Sequence, residues 1–238
     1  MNRAPGRTMA ETVIDVGERP IRAVHEDIQK AAKAGERMVL RNTLSRHNLG
    51  VGLPPGCELH AEGSVGYYCG GLNTGARITV ERNAGWGCGE AMSAGHITVG
   101  GYAGMSVGAA MLGGLIHVRG DCGPRAGVAM KGGTIVVEGK LGYQSGFMAH
   151  GGKIIALGGA GPSCADALWQ GEVWVCGDVA DLGVDAVITE PSAEQVAEVE
   201  AILDPLGLSD RSRAWRRIVA GERLWYFQSR DAKAWLMI

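Results

Sequence analysis

One spacing constrains this chain more than anything else in it. The apolar residues Leu59, Ile78, Ile97, Ile116, Ile135, Ile154 and Val173 stand 19 residues apart each time. Two positions further on come Ala61, Val80, Val99, Val118, Val137, Ala156 and Val175. Glycines keep the same beat. One column reads Gly66, Gly85, Gly104, Gly123, Gly142, Gly161, with Ala180 in seventh place. A second reads Gly63, Arg82, Gly101, Gly120, Gly139, Gly158, Gly177, and a third reads Gly70, Gly89, Gly108, Gly127, Gly146, then Ala165. Seven copies hold this register over residues 57–190 without an insertion. Such self-similarity marks a solenoid, in which each unit buries its apolar face only against its neighbours.

The unit's chemistry selects the kind of solenoid. In Gly133-Thr134-Ile135-Val136-Val137-Glu138-Gly139 the columns of Ile135 and Val137 are apolar in every copy, and the flanking columns are mostly polar. Alternation of period two makes a half-buried strand. Short strands joined by glycine turns close one coil, and successive coils stack as parallel strands about 4.8 Å apart. The reading is an all-β fold: a parallel β-helix of about seven 19-residue coils with flanking α/β caps. The glycine columns mark corners where a positive φ or a close backbone approach excludes a Cβ. Arg82, Ala165 and Ala180 put regular corners in doubt in the second, sixth and seventh coils. A second inward stretch is expected at Leu72, Ala91, Ala110, Ala129, Met148, Ala167 and Ala186, with Met92, Met111 and Met130 after it as core filler.

The flanks do not repeat, and the chain divides into an N-terminal unit 1–56, the β-helix 57–190 and a C-terminal unit 191–238. Thr12 to Val16 reads as a strand and Arg19 to Ala34 as a helix with Ile21, Val24, Ile28 and Ala32 on one face, stopped by Gly35. Met38 to Leu40 reads as a strand leading to the first coil. Ser192 with Glu194 and Gln195 forms a capping-box pattern before a helix over 193–203, which Pro205 and Gly207 end. On the outer face of the strands the last coils turn apolar, at Val136, Ile155, Trp174, Leu157 and Cys176. A patch of that kind calls for a cover. The helix supplies a matching stripe in Val196, Val199 and Leu203, which the aromatic tail around Trp225 and Phe227 could extend, and a partner subunit is the alternative cover.

Composition narrows the function classes. Glycine is 39 of 238 residues, yet the apolar share is 46%, which excludes disorder, and the glycines lack a three-residue period, which excludes collagen. A net charge of -2 gives no electrostatic reason to expect nucleic acid or an anionic membrane. With no membrane-length apolar run and no signal-peptide core before Val13, the expected location is cytoplasmic. The six cysteines form no C-x-x-C pair. Cys69, Cys88 and Cys164 share an inward column, and the thiol form is expected for Cys69 and Cys88. His60, His96 and His117 read as surface residues, and His150, in a glycine-rich corner, as a candidate for a tunnel or an interface. No catalytic, cofactor or metal residue is assigned to this chain.

Gly63-Ser64-Val65-Gly66-Tyr67-Tyr68-Cys69-Gly70-Gly71-Leu72-Asn73, followed by the glycine coils, resembles the GXGXG domain of the glutamate synthase large chain, which also occurs as a free-standing subunit. The ending Trp215-Arg216-Arg217-Ile218-Val219 with Arg223-Leu224-Trp225-Tyr226-Phe227 is similar to the tail of the free-standing form. The resemblance covers roughly residues 12–230. It implies a right-handed winding and a role like that of the small GXGXG subunit of N-methylglutamate synthase. That complex turns glutamate and methylamine into N-methylglutamate and ammonia. The implied partners are an amidotransferase-like chain and a synthase chain carrying FMN and an iron–sulfur cluster, on which the catalytic groups reside. Interface or channel candidates on this chain are Tyr67, Tyr68, Asn73, His150, Trp174 and Trp225. The C subunit of formylmethanofuran dehydrogenase or of the related formyltransferase–hydrolase complex has a similar β-helix, and a stand-alone solenoid binding protein is the alternative of another class.

Overall fold

The computed structural model describes residues 10–221, 223 and 224. These residues are mostly β, with two α-helices. Strand β1 (Glu11–Asp15) leads to helix α1 (Ile21–Ala34) and strand β2 (Arg37–Arg41). The coils then contribute β3 (Glu58–Ala61), β4 (Thr74–Val80), β5 (Ala94–Val99), β6 (Leu115–Val118) and β7 (Thr134–Val137). Next come the short β8 (Lys140–Leu141), β9 (Lys153–Ala156), the short β10 (Gly159–Ala160) and β11 (Glu172–Val175). Strand β12 (Ala186–Thr189), helix α2 (Ala193–Leu203) and β13 (Arg216–Ala220) complete the order. The main sheet runs β1-β2-β3-β4-β5-β6-β7-β9-β11-β13-β12. From β1 to β11 all neighbours are parallel, and from β3 to β11 the register is the 19-residue register of the sequence, Leu59 against Ile78, Ile78 against Ile97, and so on to Val173. This is a parallel β-solenoid of about seven turns.

Both strand columns face the core. Leu59, Ile78, Ile97, Ile116, Ile135, Ile154 and Val173 are buried, as are the residues two positions on. The stacking begins before residue 57. Met38 pairs with Leu59 and Leu40 with Ala61, and the amides of Asn48 and Gly52 donate to the carbonyls of Tyr67 and Gly71. Leu49 and Leu53 are buried in the same core as Cys69 and the methionines. Here the neighbouring strands are 21 residues apart, so a strict 19-residue register ends at Cys57 although the stacking does not.

The corners sort the glycines into two kinds. At Gly108 the backbone is left-handed, φ +65, and an added Cβ would lie 2.5 Å from Cδ1 of Ile135. Gly85 has ordinary φ, but its Cβ would lie 2.7 Å from the carbonyl carbon of Gly66. The three departures keep their corners. Ala165 takes φ 62 itself and donates to the carbonyl of Ser145, while Arg82 and Ala180 donate to the coil before them, at Gly63 and Ala160.

The second inward stretch is shifted by one residue from the expected column. Leu72, Ala91, Ala110, Ala129, Met148 and Ala167 all have positive φ, and none of them is buried. The buried column is the next one, Asn73, Met92, Met111, Met130, Ala149 and Leu168. Each coil here places left-handed residues at alternate positions, such as Ser106, Gly108 and Ala110. This turn geometry, which a strand-like alternation does not describe, sends the next residue inward. The methionines fill the core as expected. Ala186 departs for another reason, since β12 pairs with β13 and not with a further coil.

Helix α1 starts at Ile21 rather than Arg19, because Pro20 disfavours the helical region for the residue before it. It buries Val24, Ile28 and Ala31 in the cluster that holds Ile14, Val16 and Leu40. Gly35 ends it in the left-handed conformation, φ 70. Helix α2 starts with the capping box: Ser192 accepts from the amide of Gln195, whose side chain accepts from the amide of Ser192. Val199 and Leu203 cover Val136, Ile155 and Trp174, with Trp215 as a third covering residue and Val196, Leu157 and Cys176 around the margin. The apolar outer patch is thus closed by the helix whose stripe matches it. Trp174 and Trp215 meet edge to face with ring centres 6.1 Å apart. Trp225 and Phe227 lie outside the described residues.

Strand β13 runs antiparallel between β11 and β12. A charge cluster fastens it. Glu172 accepts from Arg217 at 2.5 Å, from Lys153 at 2.8 Å and from the Trp174 indole at 2.9 Å. Burial alone would raise this carboxyl, but the bonds from Arg217, Lys153 and Trp174 outweigh it and hold it down to about 2.

Two outcomes are expected. Ile116→Ala, which opens a cavity midway along the stack, should lower unfolding stability by about 2–5 kcal/mol in a urea titration. The Glu172 carboxyl sits below its unfolded value of 4.5, so its contribution is complete above pH 4.5 and is lost as pH falls from 4.5 towards 2. Glu172→Gln should flatten the stability-versus-pH curve in that window.

Candidate partner interface

Aromatic side chains are scarce in this chain, at 5%, and among the described residues none of them lies in the solenoid core. Several stand in line along one corner. The corner position next after Gly66 in each coil reads His47, Tyr67, Trp86, Met105, Pro124, Tyr143, Pro162 along the solenoid. Tyr67 is 45% exposed, Trp86 50%, Tyr143 48%, and Tyr102, three positions before Met105 in the same coil, 46%. Six coil steps of ~4.8 Å give a rim roughly 29 Å long.

The rim is built by the glycine corners. The rings of His47 and Tyr67 stack with centres 4.4 Å apart, and those of Tyr67 and Trp86 at 4.9 Å with 7° between planes. Each ring lies across the glycine of the next coil. A Cβ on Gly85 would sit 2.8 Å from Cδ1 of Tyr67, and one on Gly104 would sit 2.8 Å from Cδ1 of Trp86. The column that lets the coils approach therefore also seats the rings. His47 is oriented by the Tyr67 amide, which donates to its Nδ1 at 2.9 Å. Beside the rim runs a polar ladder: Arg125 Nε donates to Gln144 Oε1 at 3.0 Å, and Gln144 Nε2 donates to Asp166 Oδ2 at 2.8 Å.

The structure divides the sequence candidates. Tyr67 lies on the rim, and Tyr68, half-buried, stands next to it in the left-handed conformation, φ 62. Asn73 is fully buried. Its Oδ1 accepts from the amides of Gly75 and Ala76 and its Nδ2 donates to the Ala76 carbonyl, so it holds a turn. Trp174 is buried beneath α2. Neither Asn73 nor Trp174 presents a side chain to a partner. His150 is exposed at another corner and stacks on Trp169 at 5.9 Å. Trp225 lies outside the described residues. Trp86, Tyr102 and Tyr143 are not among the sequence candidates, although reading the repeat columns for aromatic recurrence reveals Tyr67, Trp86 and Tyr143 together.

The outer sheet face of the early coils carries the histidines. His60 meets Glu81 at 3.1 Å and His117 meets Glu138 at 2.8 Å. His117 is buried, not a surface residue: it stands between Thr98 and Val136 on the sheet, and its Nε2 meets Glu138. His96 lies within 3.3 Å of both Arg77 and Thr98. Its pKa is pushed down to about 4, first by burial, then by Arg77 and His117. None of these contacts pairs a histidine with a serine or cysteine nucleophile. Cys69 and Cys88 are buried free thiols. Cys69 is raised by its hydrogen bond with Cys88 and then by burial, and burial pushes Cys164 up to about 12. Cys69 and Cys164, raised in this way, stay protonated near neutrality and are poor nucleophiles.

Among the described residues no three His, Cys, Asp or Glu side chains are grouped to hold a metal ion. No described helix is long and apolar enough to cross a membrane. No family model matches the chain, and no curated protein matches it.

His96 carries a pH prediction. It stays neutral in the fold down to about pH 4, while the unfolded chain takes up the proton near 6.5. Its contribution is therefore full above pH 6.5 and is lost as pH falls towards 4. His96→Gln should reduce the slope of the urea midpoint against pH across that window.

Proposed function

We propose that this chain is a non-catalytic structural subunit of a glutamate synthase-like enzyme, of the N-methylglutamate synthase type. It would space an amidotransferase-like chain and an FMN- and iron–sulfur-containing synthase chain. The observation that carries this reading is the aromatic rim, an ordered line of half-exposed rings on a rigid solenoid. Tyrosine and tryptophan are the favoured anchors of protein interfaces. The described residues offer no convergent acid, base and nucleophile to set against it. A rigid spacer holds two reacting sites in fixed relation, so a reactive amine passes between them without dilution into solvent. The right-handed winding, and the capping of the first coils by the β1–α1 unit, belong to the same proposal.

Pull-down from the native host should recover two larger chains of those classes. Tyr67→Ala with Trp86→Ala should weaken their recovery by about 30-fold or more, the effect of losing a ~2 kcal/mol anchor. Because the rings are exposed, unfolding stability should change by only about 1 kcal/mol. Stoichiometric FMN binding, or amine transfer, by the isolated chain would overturn the proposal.

A further inference from the structure

Two opposite charges stand without partners on the surface beside the aromatic rim. The residue five positions after the rim residue has a left-handed backbone in each of five coils: Leu72, Ala91, Ala110, Ala129 and Met148. Each donates its amide to a carbonyl of the next coil, so these side chains form one column along the solenoid. The ends of the column are large and open to solvent, Leu72 49% exposed and Met148 40%. Its three middle members are alanines.

The charges lie next to this column, one coil to each side of its centre. Glu90 folds back over Gly87: a Cβ on that glycine would lie 2.8 Å from Oε2 of Glu90. Two coils on, at the position equivalent to Gly87, stands Arg125. Its Nε donates to Gln144 at 3.0 Å, and its guanidinium carbon lies 5.8 Å from the centre of the Phe147 ring, so the side chain is held in place. The two terminal nitrogens are left over. Among the described residues neither they nor the Glu90 carboxylate have a hydrogen-bond or ion-pair partner. Two coil steps of ~4.8 Å keep Glu90 and Arg125 of one chain apart.

The surface has the same order from either end: a large apolar residue, a charge beside an alanine, and Ala110 at the centre. Only the sign of the charge differs between the two halves. Such a surface is complementary to itself when turned end for end. We propose that two copies of this chain pair through it, antiparallel, about a two-fold axis at the third coil near Ser106. Glu90 of each copy then meets Arg125 of the other, and Leu72 of each faces Met148 of the other. The alanines leave room for the two ion pairs. The reciprocal charges select a second copy as the occupant. The inference does not rest on the subunit reading above.

Sedimentation of the full chain tests it. The wild-type chain should sediment as a dimer. Glu90→Arg and Arg125→Glu, each alone, should raise the dimer dissociation constant by about 100-fold or more, because like charges then meet twice. An equimolar mixture of the two variants should recover the wild-type affinity as a mixed dimer, since every charge again meets its opposite. The double variant carrying both changes should recover it too. A wild-type chain that is monomeric at about 100 µM would overturn the proposal. So would single variants that dimerise as the wild type does, or a mixture that stays monomeric. Loss of the larger chains from a pull-down with Arg125→Glu, at unchanged sedimentation, would also overturn it and assign Arg125 to those partners. A dimer that obeys the charge exchange but recovers no larger chains would overturn the subunit reading alone.

Discussion

Stacking by backbone hydrogen bonds in one fixed register is the constraint from which the rest of this structure descends. A parallel coil can pair with the next only if both traverse the same path, so every side chain lies above its own counterpart one coil earlier. The core is then a set of columns rather than a set of contacts between distant elements. Ile97, Ile116 and Ile135 pack on one another because nothing else can occupy their positions. The same rule reaches the corners, where Gly66 and Gly85 lie so close that a methyl group on the second would meet the carbonyl carbon of the first. It also reaches the surface, where Tyr67 and Trp86 stack because their coils do.

That constraint made the strands legible and left the turns obscure. Isoleucine and valine every 19 residues fixed which residues face inward, because alternation within a strand has only one phase. Helix α2 could be read from its capping box, and the surface it covers from the change from Thr98 to Val136, Ile155 and Trp174 on the outer column. The turn stretch from Gly70 to Asn73 could not be read this way. Left-handed residues at alternate positions reverse the facing of their neighbours, so Ala91 looks like core filler by size although Met92 is the buried residue. The stacking before residue 57 was hidden by two extra residues between β2 and β3. The hydrogen bonds, not the spacing, place Leu49 and Leu53 in the core.

The candidate interface was legible only in part. Tyr67 stood out through its place in the Gly63–Asn73 motif, yet its neighbours on the rim lie 19 residues or more away and belong to no local motif. Asn73, at the end of that motif, is an interface or channel candidate on sequence alone. It is instead consumed by three hydrogen bonds within its own turn. His117 belongs to a column with Thr79 and Thr98, yet it is buried, paired on the sheet with Val136 and bonded to Glu138. The missing information was a neighbouring side chain for Tyr67 and His117 and the backbone of its own turn for Asn73, and no repeat column contains either.

The antiparallel strand β13 has a consequence of its own. Any coil exposes an edge whose hydrogen-bonding polarity matches a further coil, so a solenoid is chemically a polymer that adds to itself. A reversed strand, β13, instead occupies the edge of β11 in antiparallel pairing, so no further coil stacks directly on the last one. Glu172, by holding Arg217 in place, fastens the reversed strand to the final coil. The strand acts as a chain terminator: it fills the place where an eighth coil would pair and moves the free edge of the sheet outward to β12.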